Sequence, residues 1–221
     1  MREVLTEDAI AWLERQPVLD GASLVASLPD YSEFPTLSLE EWKTWFIAAA
    51  ELIFRKTPDE GISVFFQSDI KHEGTWIDKS YLVQKAAEQA GSALLNHKIL
   101  CRSLPGSVTH GRPSYSHLLF FSRGRRADIA KGSPDVIPDL GEKSWARGTG
   151  IHACKMAVDF IREHSASTRI VNPFCGMGSI LAAANAAGIP ALGIERSPKR
   201  AEAARKIRIA RAGNGWEIIN A

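Results

Sequence analysis

The residues of this 221-residue chain whose types and spacing could do chemistry fall in two places, one late and one early. Late, Ile170-Val171-Asn172-Pro173-Phe174-Cys175-Gly176-Met177-Gly178-Ser179 runs from an apolar stretch through a glycine turn into a small-residue helix, and Ala191-Leu192-Gly193-Ile194-Glu195 is a second apolar stretch ending on an acid. Glycines after a strand let backbone approach a ligand where a side chain would collide, and an acid closing the next strand can accept hydrogen bonds from ribose hydroxyls. That arrangement holds a nucleoside. Early, Ser27-Leu28-Pro29-Asp30 follows the apolar Leu24-Val25-Ala26 and puts a hydroxyl and a carboxylate in one turn. Asp30 could take a proton from a reacting group, or could simply cap the loop. Glu33 adds a second carboxylate, more simply read as an exposed loop acid.

Other residues offer less. His110-Gly111-Arg112-Pro113-Ser114-Tyr115 lies between two apolar runs; Arg112 could meet a phosphate and Tyr115 could stack on a base, or the segment could be an ordinary polar hairpin. Cys175 sits inside the glycine turn and reads as a packing residue. Cys101, Cys154 and Cys175 fit neither a disulfide framework nor a zinc site, and His97, His117, His152 and His164 show no metal-ligand spacing, so no metal is expected. Trp76 and Trp145, in less regular stretches, are the tryptophans to consider at a ligand surface.

The elements that must position these residues follow from periodicity. A helix is expected over Thr6 to Arg15; Ser38 with Glu41 makes a capping box for a helix to about Arg55, with Trp42, Trp45, Phe46, Ala49 and Ile53 inward. Ile62 to Phe66 reads as a buried strand, Ile77 to Ala90 as a helix, and Leu94 to Arg102 and Ser116 to Ser122 as strands. Beyond an aperiodic stretch come a helix from Ile151 to Glu163, the strands and helix around the glycine turn, a basic helix from Pro198 to Ala212 and an edge strand Trp216 to Asn220. Strands alternating with helices predict an α/β sandwich around a mainly parallel, Rossmann-like sheet of seven strands. One domain is expected, with residues 1–122 a catalytic half, 123–149 a linker or lid, and 150–221 a cofactor half. Hydrophobic residues make up 45% of the chain and the net charge is +2. With no long apolar run and charges in Met1 to Asp8, a cytoplasmic protein without a membrane partner is expected. Basic residues cluster in Arg196 to Arg211 and again at Arg123, Arg125, Arg126 and Lys131; each could be a solvated face or a phosphate-contacting surface.

Asn172-Pro173-Phe174-Cys175-Gly176-Met177-Gly178-Ser179 resembles the Asp-Pro-Phe-x-Gly-x-Gly-Thr motif of circularly permuted class I S-adenosylmethionine-dependent methyltransferases, the group containing many DNA and RNA amino-methyltransferases. The likeness extends to Gly193-Ile194-Glu195, to Ser197-Pro198-Lys199-Arg200 and to Gly148-Thr149-Gly150. It implies S-adenosyl-L-methionine as cofactor, held by Thr149, Gly150, Asn172, Pro173, Phe174, Cys175, Gly176, Gly178 and Ser179, with Glu195 on the ribose and Arg196 beside the adenine. Asn172 stands where the motif has aspartate. The group's Ser/Asp/Asn-Pro-Pro-aromatic turn corresponds to Ser27-Leu28-Pro29-Asp30, which implies that Ser27, Pro29 and Asp30 serve the reaction, with Tyr31, Glu33, Arg112 and Tyr115 on the acceptor. Loss of the aromatic weakens a duplex-DNA reading, because a flipped-out base would stack there. The expected acceptor is a base in tRNA or rRNA, with DNA as a further possibility, chosen with the help of structured substrate, a homodimer partner or the 123–149 loop. Two alternatives stand beside it: methylation of a small molecule or protein side chain, and an NAD-dependent oxidoreductase, which the Leu181 in place of a third glycine disfavours.

Overall fold

The computed structural model describes residues 1–127, 132–146, 148–212 and 215–219. In chain order the elements are β1 (Arg2–Thr6), α1 (Ala9–Glu14), β2 (Ala22–Ala26), a 3-10 turn (Tyr31–Glu33), α2 (Leu39–Lys56), β3 (Ser63–Gln67), β4 (Ile70–His72), β5 (Thr75–Ile77), α3 (Lys79–Gln89), β6 (Ala93–Cys101), β7 (Tyr115–Ser122), β8 (Val136–Ile137), α4 (Ile151–His164), β9 (Arg169–Asn172), α5 (Ser179–Ala186), β10 (Ala191–Glu195), α6 (Pro198–Lys206), β11 (Arg208–Ala212) and β12 (Gly215–Ile219). An eight-stranded sheet has the order β1-β10-β9-β2-β3-β7-β6-β8. Pairing is parallel from β1 to β3 and antiparallel at β3/β7 and β7/β6.

The sheet is buried on both faces because its central strands are apolar at nearly every position, not at alternate ones. Val64 and Phe66 of β3, with Leu118 and Phe120 of β7, pack into one core against α4, α5 and α6. Phe65, Leu119 and Phe121 point the other way, into a core built with α1, α2 and α3. The capping box at Ser38 and Glu41 starts α2 as expected, and Trp42, Phe46, Ala49 and Ile53 are buried while Trp45 is only partly so.

Several expectations need correction. Six of the seven expected strands lie in the sheet, which gains two more: Arg2–Thr6 pairs with Ala191–Glu195, which an alternation of charged and apolar residues at the start of the chain did not announce, and Val136–Ile137, inside the stretch expected to be a linker or lid, pairs with Ile99 and Leu100 of β6. Ile70–His72 and Thr75–Ile77 form a hairpin ahead of α3. The basic helix ends at Lys206, and Arg208–Ala212 pairs with Gly215–Ile219 in a separate two-stranded ribbon, not at an edge of the main sheet; Asn220 lies outside the described residues. In Arg208-Ile209-Ala210-Arg211-Ala212 charged residues fall three apart, a spacing that fits a helix stripe, and tertiary pairing overrides it.

The Arg123, Arg125 and Arg126 cluster is stapled to the protein. The Arg123 guanidinium donates to the Phe54 and Thr57 carbonyls, each at 2.6 Å, closing the C-terminal end of α2, and to Asp59 Oδ1 at 2.6 Å. Arg125 pairs with Glu60, and Arg126 donates to the Arg123 and Arg125 carbonyls. Lys131 lies outside the described residues. Arg123→Ala is therefore expected to lower stability in urea unfolding by about 2 kcal/mol, since it leaves helix-end carbonyls without partners. Among the described residues no helix is long and apolar enough to cross a membrane.

Candidate active site

Adjacent β9 and β2 send their chains in opposite directions: β9 continues through α5 on one face of the sheet, β2 through α2 on the other. Where strand order reverses in this way, a crevice opens beyond the carboxyl ends. Here it is a cleft of about 680 Å³, bordered by the segments that follow β1, β2, β3, β9 and β10.

Its β9 wall is the glycine turn. Gly176 and Gly178 have φ of +53° and +84°, and Gly178 caps the N-terminus of α5. A Cβ on Gly176 would meet nothing within 4 Å, so backbone there borders open space. A Cβ on Gly178 would lie 2.8 Å from Ala204 Cα, backbone of α6 that cannot swing aside. Gly178→Ala combines a left-handed backbone with that clash and is expected to cost about 3 kcal/mol, read as a Tm lower by roughly 6 to 12 °C. The third glycine of a dinucleotide turn would let helix and strand approach closely; Leu181 occupies that position, fully buried, and the space is made instead by Gly193, whose Cβ would sit 2.6 Å from Leu181 Cδ1 and 2.8 Å from Cys175 Sγ.

Glu195 is buried and fastens the turn. Its Oε2 accepts from the Gly176 N–H at 3.1 Å and its Oε1 from the Ser197 N–H at 2.8 Å. Each carboxylate oxygen can accept about two hydrogen bonds, so acceptor capacity remains for a ligand. Arg200 lies 3.9 Å from Oε1 and over the Trp145 ring at 5.4 Å. Asn172 Oδ1 accepts from the Phe174 N–H at 3.3 Å, so the amide ties the start of the glycine turn. Cys175 is buried, and burial together with Glu195 pushes its thiol up to about 12; it is not a thiolate nucleophile at neutral pH.

All of Asn172, Pro173, Phe174, Cys175, Gly176, Ser179, Glu195, Arg196 and Thr149 border the cleft, as do Ser27, Pro29, Asp30, Glu33 and Arg112. Gly150 starts α4 and is held so close to Leu140 that a Cβ would lie 2.0 Å from its carbonyl oxygen. Lys143, Trp145 and Gly148 bring the 123–149 segment over the glycine-turn end of the cleft, and Ser144 Oγ bonds Ser179 Oγ at 2.9 Å.

Asp30 caps the 3-10 turn: its Oδ1 accepts from the Tyr31 N–H at 2.9 Å, while Glu33 accepts from the Asp30 N–H at 3.1 Å. It also faces two cations, Lys79 Nζ at 3.8 Å and Arg112 at 3.5 Å. Tyr31 packs against Trp42 and His72, and Tyr115 donates its hydroxyl to Asp69 Oδ2 at 3.2 Å; neither borders the cleft. Of the two irregular tryptophans, Trp145 borders it, and Trp76 stands exposed on the β4–β5 hairpin.

The sequence reading missed Asp8, Phe34, Trp45, Gln67, Lys79 and Arg102, all of which border the cleft. Asp8 caps α1 with Oδ1, at the carboxyl end of the unforeseen β1. Lys79 is almost wholly buried against Trp42 and Phe46, and burial pulls its ammonium below the usual lysine range while Asp30 and Asp69 hold it up. In the sequence Asp78-Lys79 looks like any polar helix start, and nothing local marks the lysine as buried. Asp69, Asp78 and His117 bring ligand atoms within 4.8 Å of one another, a geometry that histidine spacing did not reveal. Asp69 accepts from Trp76, Lys79 N–H, Tyr115 and His117, and His117 Nδ1 meets His97 Nε2 at 3.0 Å, while Asp78 caps α3 through Oδ1. Burial alone would raise the Asp69 carboxyl, but these donors hold it below the usual range.

Solved structures of three other proteins are among those that share this fold. TTHA0409 of Thermus thermophilus, described as a DNA modification methylase, superposes with a TM-score of 0.70 at 20% identity over 92% of this chain and 93% of that one. It has also been solved with S-adenosyl-L-methionine. PvuII DNA methyltransferase, cytosine-N4-specific, gives 0.69 at 16% identity over 92% and 85%. M1.HpyAVI in complex with SAM gives 0.62 at 13% over 93% and 98%. No protein-family profile matches the chain, and no curated protein matches it by sequence.

Proposed function

We propose that the protein is an S-adenosylmethionine-dependent methyltransferase acting on nucleic acid, working in the cytoplasm. The observation that carries this reading is the juxtaposition, in one cleft, of the glycine turn fastened by Glu195 and the Ser27–Asp30 turn. The residues present fit the cofactor: apolar Ile10, Phe174 and Ile194 for an adenine and thioether, Glu195 for a ribose, and open space beside Gly176. Bound there, S-adenosylmethionine would supply an activated methyl group on a cationic sulfur.

The chain's own residues then align the acceptor and manage its proton. Ser27, exposed after β2, offers a hydroxyl to orient an amine or ring nitrogen. Asp30 accepts the proton or relays it, its charge balanced between Lys79 and Arg112. Phe34 and Trp45, with ring centroids 4.4 Å apart, give the cleft an aromatic wall on which a base can stack.

The finer reading is a base in tRNA or rRNA, supported by the carboxylate at the place where duplex-DNA enzymes present an aromatic. A second reading, DNA, is favoured by the neighbours, whose names are those of DNA methylases. The test is transfer of labelled methyl from S-adenosylmethionine to separated tRNA, rRNA, DNA and small-metabolite pools, alongside thermal shifts with S-adenosylhomocysteine and NAD. Label in RNA and a shift with S-adenosylhomocysteine alone are expected. Label confined to metabolites, or a shift only with NAD, defeats the proposal.

A further inference from the structure

Gln67, the last residue of β3, is 2% exposed, borders the cleft, and has neither its amide nitrogen nor its amide oxygen hydrogen-bonded. A primary amide carries two donors and an acceptor, and a buried one without partners is unusual in a folded chain. Its neighbours explain why none is found internally. Gln67 stands opposite His117 in the β3/β7 register, and both ring nitrogens of His117 are occupied, one by Asp69 and one by His97. The next residue, Ser68, accepts from Arg102 at 3.0 Å, and Lys79, which also borders the cleft, turns its ammonium toward Asp30.

We infer that Gln67 reads the donor–acceptor edge of the acceptor nucleobase, and that Lys79, Arg102 and Arg112 take the phosphate of the same nucleotide. The inference deepens the methyltransferase reading and rests on it for the identity of the reaction. A fixed amide offering N–H and C=O side by side pairs with a donor–acceptor couple of matching order and position, and the bases differ in the order and position of that couple on their edges. Shielding from bulk water gives such a pair its discriminating weight, because a wrong edge leaves the amide unbonded with no water to compensate. Arg102 and Arg112 border this side of the cleft with Lys79 behind them, so guanidinium donors stand where the phosphate of a bound nucleotide would lie, although Asp30, Glu33 and Asp69 balance the three charges.

The test uses the full chain saturated with S-adenosylhomocysteine, titrated with the four nucleoside 5′-monophosphates and with the corresponding nucleosides. One or two monophosphates are expected to bind at least tenfold more tightly than the others and than their nucleosides. Gln67→Leu is expected to remove that base preference with a tenfold or greater loss of affinity, while homocysteine affinity is unchanged and Tm is equal or higher, since a shape-matched apolar group relieves the unbonded amide. Gln67→Glu, which keeps the shape but offers only acceptors, is expected to change which base is preferred. Equal binding of all monophosphates by the wild type, no binding of any, or a base preference that survives in Gln67→Leu overturns the inference. A wild type that binds a monophosphate selectively but not S-adenosylhomocysteine sinks the methyltransferase reading and leaves the nucleotide pocket standing.

Discussion

Replacing Glu195 by alanine is expected to lower affinity for S-adenosylhomocysteine by about 100-fold, because two charge-assisted hydrogen bonds to a ribose diol are lost at roughly 1.5 kcal/mol each. It is also expected to cost stability without ligand. The carboxylate accepts the Gly176 and Ser197 N–H groups, and removing it leaves both backbone donors without partners in a buried site. That penalty is about 1 to 3 kcal/mol, visible as a lower denaturant midpoint. Glu195→Gln keeps a carbonyl acceptor and should fall between the two. Unchanged homocysteine affinity in the alanine variant, measured by calorimetry, would leave Glu195 as a loop fastener only.

Asp30→Asn separates the two roles the geometry gives this residue. Asparagine caps as well as aspartate, so the bond to the Tyr31 N–H is kept, and the fall in Tm should be limited to what the buried Lys79 ammonium loses with its counter-charge. The charge between Lys79 and Arg112 is lost. A general base contributes about 100-fold or more, so turnover is expected to fall by about that factor with homocysteine binding intact. The sign of the accompanying pH effect follows from the same contact. Asp30 raises the Lys79 pKa against burial, so without it the ammonium loses its proton at lower pH. Any alkaline limb governed by Lys79 should shift downward. A fully active variant would return Asp30 to the cap alone.

The local elements of the cofactor side were legible in sequence because each step has a backbone cause: apolar runs made β9 and β10, positive φ made the glycines, and Ser197 ahead of Pro198 started α6. Ser38 with Glu41 located α2 for the same reason. What escaped was whatever depends on residues distant in the chain. Arg2–Thr6 is a strand only because Ala191–Glu195 lies beside it, and with β1 unseen, Asp8 was unread as a cleft residue. Gln67 carries no motif; its interest arises from His117 being used up by Asp69 and His97, a fact of three dimensions. The basic stretch misled only in part. Arg205 donates to the Val4 carbonyl and Thr6, and Arg123 closes α2, so these two act as internal ties, while Arg196, Lys199, Arg208 and Arg211 stay exposed.

The pairing of β1 with β10 also bears on how the chain is made. Met1 accepts from the Ala191 N–H, Arg2 reaches Asn185 and the Ala204 and Ile207 carbonyls, and β2 takes β9 as one of its two partners. Strands synthesised earlier in this chain therefore wait for partners that emerge well over a hundred residues later, a wiring that slows assembly and leaves an open edge on the nascent polypeptide. A ribosome-stalled fragment ending near residue 165 should show β1 amides exchanging freely with solvent, and a bulky fusion at Met1 should weaken homocysteine binding, because it presses on the strand that flanks Glu195.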